Sequence, residues 1–361
     1  MRIALGQFNP IVGDVAGNTR LIIDGMNAAR RDGANVLITP ELAVIGYPPR
    51  DLLLRHGVVQ NCESAVQELA RRTGDMTVII GSPRCGESTG GLFYNSAAVC
   101  RDGEIKAWYD KWLLPGYDVF DEDRYFVPGT QPLVTDVNGK RLGIVICEDF
   151  WRATDAATAR RYERDPVQAT LDAGAGMIVS LHASPFVIGK SAKHRRHMQR
   201  LAAEHRVPIV AVHQVGANDD LVFDGRSLVV DANGSVRGEA LAWQPDVTTV
   251  ELDEVTQQAS AAKSTSNAIG DPNEEIFRAL VLGLRDYCSK TNNRELTLGL
   301  SGGIDSALTA TVACAAVGAE RVHAILMPSE FSSEGSITDA QHLAKNLGIT
   351  NRHELPINSA H

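Results

Sequence analysis

Short apolar runs alternate with longer stretches of helical period as far as about residue 215. The runs are Ile3-Ala4-Leu5, Val36-Leu37-Ile38, Val78-Ile79-Ile80, Leu142 to Ile146, Met177-Ile178-Val179 and Ile209 to Val212. Their almost continuous apolar character predicts strands buried on both faces, with helices laid over them. Thr19 to Arg31 and Asn61 to Arg72 carry Leu, Ile, Val and Ala at helical spacing. Two antiparallel hairpins are predicted, Asn95 to Tyr109 turning at Arg101-Asp102-Gly103 and Ser227 to Ala240 turning at Ala232-Asn233-Gly234. Asp-Gly and Asn-Gly pairs supply the positive φ that a tight turn needs. The pattern describes an α/β domain, mixed or layered α-β-β-α, through about residue 252.

From residue 253 the apolar period is lost and Ser, Thr, Gln and Asn accumulate, so 253–270 reads as a linker. Beyond it the spacing predicts helices over Glu274 to Ser289, Asp305 to Val317 and Ile337 to Leu347. Strands are predicted over Thr297 to Leu300 and Arg321 to Met327, with a third beginning near the end. A βαβα series in residues 271–361 is the start of a parallel α/β domain and too short for a complete doubly wound one.

Composition narrows the class. At roughly 150 residues per domain, 361 residues fit two domains. With 44 % hydrophobic and 22 % charged residues, the chain is not disordered, collagen-like or a disulfide scaffold. A net charge of −9 argues against nucleic acid or an anionic membrane as the main partner. The start, MRIALGQFNP, lacks a basic region leading into an apolar stretch, so no secretory signal is expected. Nor does any apolar run reach the roughly 18 residues a membrane span needs. Six cysteines without a CxxC pair are expected to be reduced thiols of a cytoplasmic protein.

Two constellations carry candidate chemistry. Glu41, Lys111 and Cys147 each follow a predicted strand, and strand ends are where sites gather on α/β scaffolds. Together they suit thiol acyl transfer: the cysteine attacks a carbonyl, the carboxylate takes its proton and the ammonium stabilises the oxyanion. Backbone N–H groups after Cys147 can add oxyanion donors. A lone cysteine at a strand end is more often a small core residue, however, and charged residues there are commonly solvated. Spacing alone therefore assigns no triad. The second constellation, Leu298-Gly299-Leu300-Ser301-Gly302-Gly303-Ile304-Asp305-Ser306, runs from a strand through a glycine pair into a helix. Glycines turn backbone N–H groups toward an anion, the helix start adds its dipole, Ser301 and Ser306 offer hydroxyls, and Asp305 offers a carboxylate to Mg²⁺. A bare Gly-Gly would be read as a capped turn; the full string after a buried strand reads as a phosphate loop. It is not a Walker loop, since no Gly-Lys-Ser/Thr follows. The basic run Lys193-His194-Arg195-Arg196-His197, with His205, reads as a solvated or subunit-contact face rather than a metal site.

The segments TPELAVIGYPPRDLL (39–53), YDKWLLPGYDVFDEDRYFVPG (109–129) and GIVICEDFW (143–151) resemble the nitrilase, or carbon–nitrogen hydrolase, superfamily. The resemblance implies a nitrilase-like α-β-β-α sandwich over 1–252, with Glu41 as general base, Lys111 as oxyanion stabiliser and Cys147 as nucleophile. It makes Glu122 the additional glutamate beside the lysine. HASPFVIGK (182–190) and Gly116-Tyr117 resemble the glutaminase branch, which implies that Tyr117, Ser184 and Lys190 hold the ends of glutamine; His182 stands where that branch carries Asn. The SGGxDS string resembles the pyrophosphate loop of N-type ATP pyrophosphatases, implying a Rossmann-like domain with ATP at Gly299 to Ser306 and metal at Asp305. Met327-Pro328-Ser329 and Ser332 to Ser336 resemble the NAD synthetase branch.

Jointly, the chain resembles the glutamine-dependent NAD⁺ synthetase family of ligases. The family chemistry hydrolyses glutamine through a cysteine thioester and uses the ammonia to amidate deamido-NAD⁺, with ATP and Mg²⁺ as a substrate complex and no tightly bound cofactor. Homo-oligomers are implied. Because residues 271–361 make only the beginning of the synthetase domain, this chain by itself is expected to have at most the glutaminase half. The alternatives are a free-standing nitrilase-type amidase with a vestigial tail and a non-catalytic nucleotide-binding protein with Cys147 in its core.

Overall fold

In the computed structural model, residues 1–86, 92–151, 163–252 and 270–358 are described. Most of the expected linker (253–269) lies outside them. The chain divides into two compact units, Met1–Gly216 with Phe223–Ile269, and Ala217–Val222 with Gly270–His361.

The first unit begins β1 (Arg2–Gln7), α1 (Val15–Arg31), β2 (Val36–Ile38), α2 (Val58–Arg71) and β3 (Thr77–Cys85). The predicted hairpin follows as β4 (Phe93–Arg101) and β5 (Glu104–Asp110), turning at Asp102 (φ 52°) and Gly103 (φ 80°). Next come β6 (Leu133–Val137), β7 (Lys140–Ile146), α3 (Pro166–Asp172), β8 (Met177–His182), α4 (Lys190–His205) and β9 (Ile209–His213). A two-stranded pair, β10 (Val215–Asn218) and β11 (Leu221–Asp224), whose residues Ala217–Val222 fall in the second unit, precedes β12 (Leu228–Val230), β13 (Val236–Glu239) and β14 (Asp246–Glu251).

Two six-stranded mixed sheets result, ordered β14-β1-β2-β3-β4-β5 and β13-β12-β9-β8-β7-β6. They face each other across one core that joins Ile3, Leu5, Val36 and Ile38 of the first to Ile144, Ile146, Val179 and Val210 of the second. Side chains alternate along a strand. Val145 and Ile178 accordingly point the other way, into a second cluster with Met198, Leu201 and Ala202 of α4. This double burial explains the continuous apolar runs, and the layers are α-β-β-α.

Two strands' partners escape the sequence pattern. β14 is half-polar (DVTTVE) yet pairs antiparallel with β1 over its whole length. The β6–β7 hairpin turns on Asn138 (φ 54°) and Gly139 (φ 78°), an Asn-Gly turn of the kind used to predict the others. In the β12–β13 hairpin only Gly234 has positive φ, and the loop is longer than two residues: Asp231 Oδ1 accepts from the N–H groups of Asn233 and Ser235.

The second unit holds α5 (Pro272–Lys290), β15 (Leu296–Gly299), α6 (Ile304–Val317), β16 (Val322–Leu326), α7 (Glu334–Asn346) and β17 (Asn351–Glu354). Asp271 caps α5 and Ser333 caps α7, each side chain accepting a first-turn N–H. The three strands form a parallel sheet in sequence order, so the third strand is already complete at Glu354. Ala217–Val222 belongs to this unit because Asp286 accepts the Ala217 N–H at 2.8 Å and Lys290 donates to the Ala217 carbonyl and the Asn218 side chain, each at 2.9 Å.

Candidate active site

Three strand ends bring the first constellation together. Beyond β2 the chain stays bonded to the neighbouring strand β3: Thr39 N–H donates to Ile79 O, and Gly81 N–H to Thr39 Oγ1. Position 81 admits only glycine, since a Cβ there would stand 2.2 Å from the Pro40 carbonyl. Glu41 is thereby fixed. Lys111, one residue past β5, donates its N–H to Asn95 O and accepts from Gly129 N–H. Cys147, one residue past β7, takes φ 46°, a left-handed backbone unusual for a residue with a side chain.

The Lys111 ammonium donates to Glu41 Oε1 at 2.7 Å and to Glu122 Oε1 and Oε2 at 2.9 and 2.8 Å. All three groups are buried. Burial alone would lower the lysine's pKa, but Glu122 and Glu41 overcome it and hold the ammonium well above its ordinary value. Burial pushes Glu122 up to about 7, opposed by Lys111 and aided by Glu41. The Cys147 thiol is raised well above its usual range, first by burial and then by Glu41, so the resting group is a neutral thiol. Two residues outside the sequence-based set orient the carboxylates: Asn95 Nδ2 donates to Glu41 Oε1 at 2.7 Å, and the Tyr47 hydroxyl donates to Glu122 Oε1 at 2.9 Å. The available signal is an Asn directly before the run of small residues Ser96-Ala97-Ala98 in β4. The second oxygen of Glu41 accepts the Ala183 N–H at 3.1 Å, just after β8.

Of the residues expected at the ends of glutamine, Tyr117 bonds the residue after Cys147, and Ser184 shares a cavity with Lys190. The Tyr117 hydroxyl donates to Glu148 Oε1 at 3.1 Å, which brings Glu148, next to the cysteine, into the site. Ser184 and Lys190 line one small cavity, and Lys190 Nζ donates to Pro185 O at 3.1 Å. Burial lowers the Lys190 pKa, while Cys147, Asp224 and Glu148 work to raise it.

The histidine run needs correction. His194 and His197 are buried rather than solvated. His197 stacks on Trp151 at 4.6 Å between centroids and engages the Phe150 carbonyl through Nε2; His194 and His213 approach His182, the latter stacked at 4.4 Å. Burial holds the His182, His194 and His213 rings neutral, with His213 lowered to about 3. A neutral imidazole packs like an aromatic ring, a possibility that a count of basic residues overlooks. Among the described residues no group of three or more His, Cys, Asp and Glu is placed to hold a metal. No helix of the described residues is long and apolar enough to cross a membrane, and the cysteines are free.

In the second unit, Gly299 ends β15 and Leu300 is buried, its N–H bonded to Ile325 O. Gly302 (φ 78°) makes the turn, and a Cβ on it would lie 2.2 Å from Ser336 O. Ser306 Oγ lies 3.1 Å from Ser301 Oγ and donates to Gly303 O at 2.9 Å. Gly303 is the cap of α6, Ile304 is 80 % exposed, and Asp305 lies in the first turn of the helix. A cleft of about 290 Å³ opens beside the loop, lined by Gly299, Ser301, Met327, Pro328 and Ser336 among others.

A carbon-nitrogen hydrolase family model matches residues 2–261, and an NAD synthase model matches residues 276–361. The chain is 39 % identical over 98 % of its length to the glutamine-dependent NAD(+) synthetase of a Synechocystis species, and 36 % identical over 97 % to that of Thermotoga maritima. It spans 64 % of the length of each. Among solved structures, glutamine-dependent NAD⁺ synthetase from Acinetobacter baumannii, in complex with ADP, superposes with a TM-score of 0.92 at 36 % identity, covering 99 % of this chain and 65 % of that one. An amidase from Nesterenkonia, captured after Michael addition of acrylamide at its active-site cysteine, gives 0.59 at 27 % identity over 70 % of this chain and 93 % of its own. With a family model matched across most of its length, the chain belongs to the carbon-nitrogen hydrolase family.

Proposed function

We propose that this chain carries the glutaminase activity of a glutamine-dependent NAD⁺ synthetase, followed by the first part of the synthetase domain. The observation that carries the reading is a buried ammonium clamped by Glu41 and Glu122 beside a cysteine on a left-handed turn. Similarity to such synthetases along almost the whole chain supports the substrate.

In this scheme the glutamine amide carbonyl enters beside Cys147. Glu41 takes the thiol proton as sulfur attacks, which a thiol raised above its usual pKa requires. The oxyanion is stabilised by the Lys111 ammonium. Glu41 returns the proton to the amide nitrogen, the C–N bond breaks and ammonia leaves a thioester. Water, deprotonated by Glu41, then attacks; glutamate departs and the thiol is restored. Tyr117, Ser184 and Lys190 hold the amino and carboxylate ends of the substrate, and Glu122 keeps Lys111 charged and oriented.

In the synthetase half, the loop Gly299 to Ser306 holds the pyrophosphate of Mg·ATP. The donor set suits it: backbone N–H groups at a glycine turn, the Ser301 and Ser306 hydroxyls, and Asp305 as one carboxylate toward a hydrated Mg²⁺ shared with the phosphates. In a complete enzyme of this kind the carboxylate of deamido-NAD⁺ attacks ATP, releasing pyrophosphate, and ammonia displaces AMP; with only the first part of that domain, this chain is not expected to complete the reaction. The proposed setting is cytoplasmic, consistent with free thiols, and self-association is measurable by sedimentation. The second reading, an amidase acting on another small amide, is favoured by the Nesterenkonia likeness, which covers 70 % of this chain.

A paired assay separates these readings. The chain is supplied with glutamine, deamido-NAD⁺ and Mg·ATP, and glutamate and NAD⁺ are quantified separately, then again with ammonia replacing glutamine. Glutamate without NAD⁺ is expected. Turnover of simple amides in preference to glutamine would select the amidase reading.

A further inference from the structure

We infer that Asp149 is a positioning residue that locks the Cys147 turn to the Lys111 strand end; this rests on Cys147 being the nucleophile, as proposed above. Asp149 is 1 % exposed and its carboxylate collects four donors. Oδ1 accepts from the N–H groups of Trp112 and Leu113 at 3.0 and 2.8 Å, the two residues directly after Lys111. Oδ2 accepts from Ile146 N–H at 3.1 Å, directly before Cys147, and from the Tyr109 hydroxyl at 2.8 Å, two residues before Lys111.

Two physical problems meet at this carboxylate. Lys111 follows a strand of one sheet and Cys147 a strand of the other. Facing sheets touch through side chains, with no ladder of backbone hydrogen bonds to fix their offset. Asp149 supplies that missing backbone-level tie. A further tie near the site, Ala183 N–H to Glu41 Oε2, uses the carboxylate that must take and return a proton. The proposed cycle asks no proton transfer of Asp149. The second problem is the left-handed Cys147 backbone, which is strained for a residue with a Cβ. Ile146 N–H and Asp149 Oδ2 close a small ring around that residue and hold its sulfur in one direction.

An amide at this position has one acceptor oxygen and would turn an NH₂ against backbone donors. The test uses Asp149→Asn and Tyr109→Phe in the full 361-residue chain. Three readouts are taken: the rate of Cys147 alkylation by iodoacetamide, located by peptide mass; kcat and KM for glutamine; and the urea midpoint. Asp149→Asn is expected to slow alkylation and kcat about 100-fold, the scale of a misplacement near 1 Å, with KM within about threefold. Tyr109→Phe, which removes one bond of four, should slow both about tenfold. Folded variants that keep alkylation and kcat within about twofold overturn the inference, as does a kcat loss that only follows the unfolded fraction. Should Asp149→Asn fail to fold, Tyr109→Phe decides. If glutamine is not a substrate, the alkylation ratio still judges Asp149, so failure of the two ideas is distinguishable.

Discussion

The Lys111 ammonium lies 2.7 Å from Glu41 Oε1, and the two side chains are 0 % and 1 % exposed. Glu122 closes the other side at 2.8 Å, so one buried cation is shared by two buried carboxylates. Such a triad is weak evidence for stability, but losing its one cation leaves uncompensated buried charge.

Removing the cation should therefore be costly. Lys111→Ala leaves two buried carboxylates facing each other and is expected to lose about 3–5 kcal/mol by urea unfolding. Glutamate formation should vanish. Glu122→Gln leaves one carboxylate for one ammonium and should destabilise far less. Equal losses for the two variants would contradict the shared-cation picture.

Cys147→Ala is expected to abolish glutamine hydrolysis while leaving the urea midpoint close to that of the wild type. The thiol makes up a small part of a large core, and alanine tolerates the same backbone nearly as well as cysteine. A large fall in stability with activity retained would return Cys147 to the role of a core residue.

Gly302→Ala strains the phosphate loop in two ways. The left-handed backbone costs about 1–2 kcal/mol for any other residue, and the added methyl meets the Ser336 carbonyl. Faster amide hydrogen exchange is expected in α6 and the start of α7, with glutaminase activity unchanged. Unaltered exchange there would argue against the close approach.

The buried imidazoles predict acid sensitivity. His213 is lowered from 6.5 to about 3, with His182 stacked on it at 4.4 Å, His194 at 6.0 Å and Lys190 opposing any charge. The unfolded chain binds the proton first, so this stability is present above about pH 6.5 and is lost as pH falls toward 3. Between pH 6.5 and 5 one such group contributes about 2 kcal/mol. Glu122, raised to about 7, works in the opposite sense: its contribution is present below about pH 4.5 and fades as pH rises through 7. The comparison is therefore made between wild type and His213→Gln, whose unfolding free energies should converge as pH falls. Parallel curves would exclude a neutral buried His213.

The strand runs were legible in the sequence because each central strand is apolar on both faces; the helices over Pro272–Lys290 and Glu334–Asn346 begin two and three residues earlier than the apolar period places them, where Asp271 and Ser333 supply caps. The sequence also pointed to Glu41, Lys111 and Cys147, since strand ends are visible in a linear pattern. Tertiary structure alone decided what those residues touch. β14 forms because β1 offers a free edge, not because its own residues are strongly apolar. Asn95, Tyr47 and Asp149 meet the site across separations of 27 to 75 residues, over which no local period carries information. The histidines of α4 were misread for the same reason: whether an imidazole is a charge in water or a neutral ring in a stack depends on what packs against it, and only the folded chain supplies Trp151, His182 and His213.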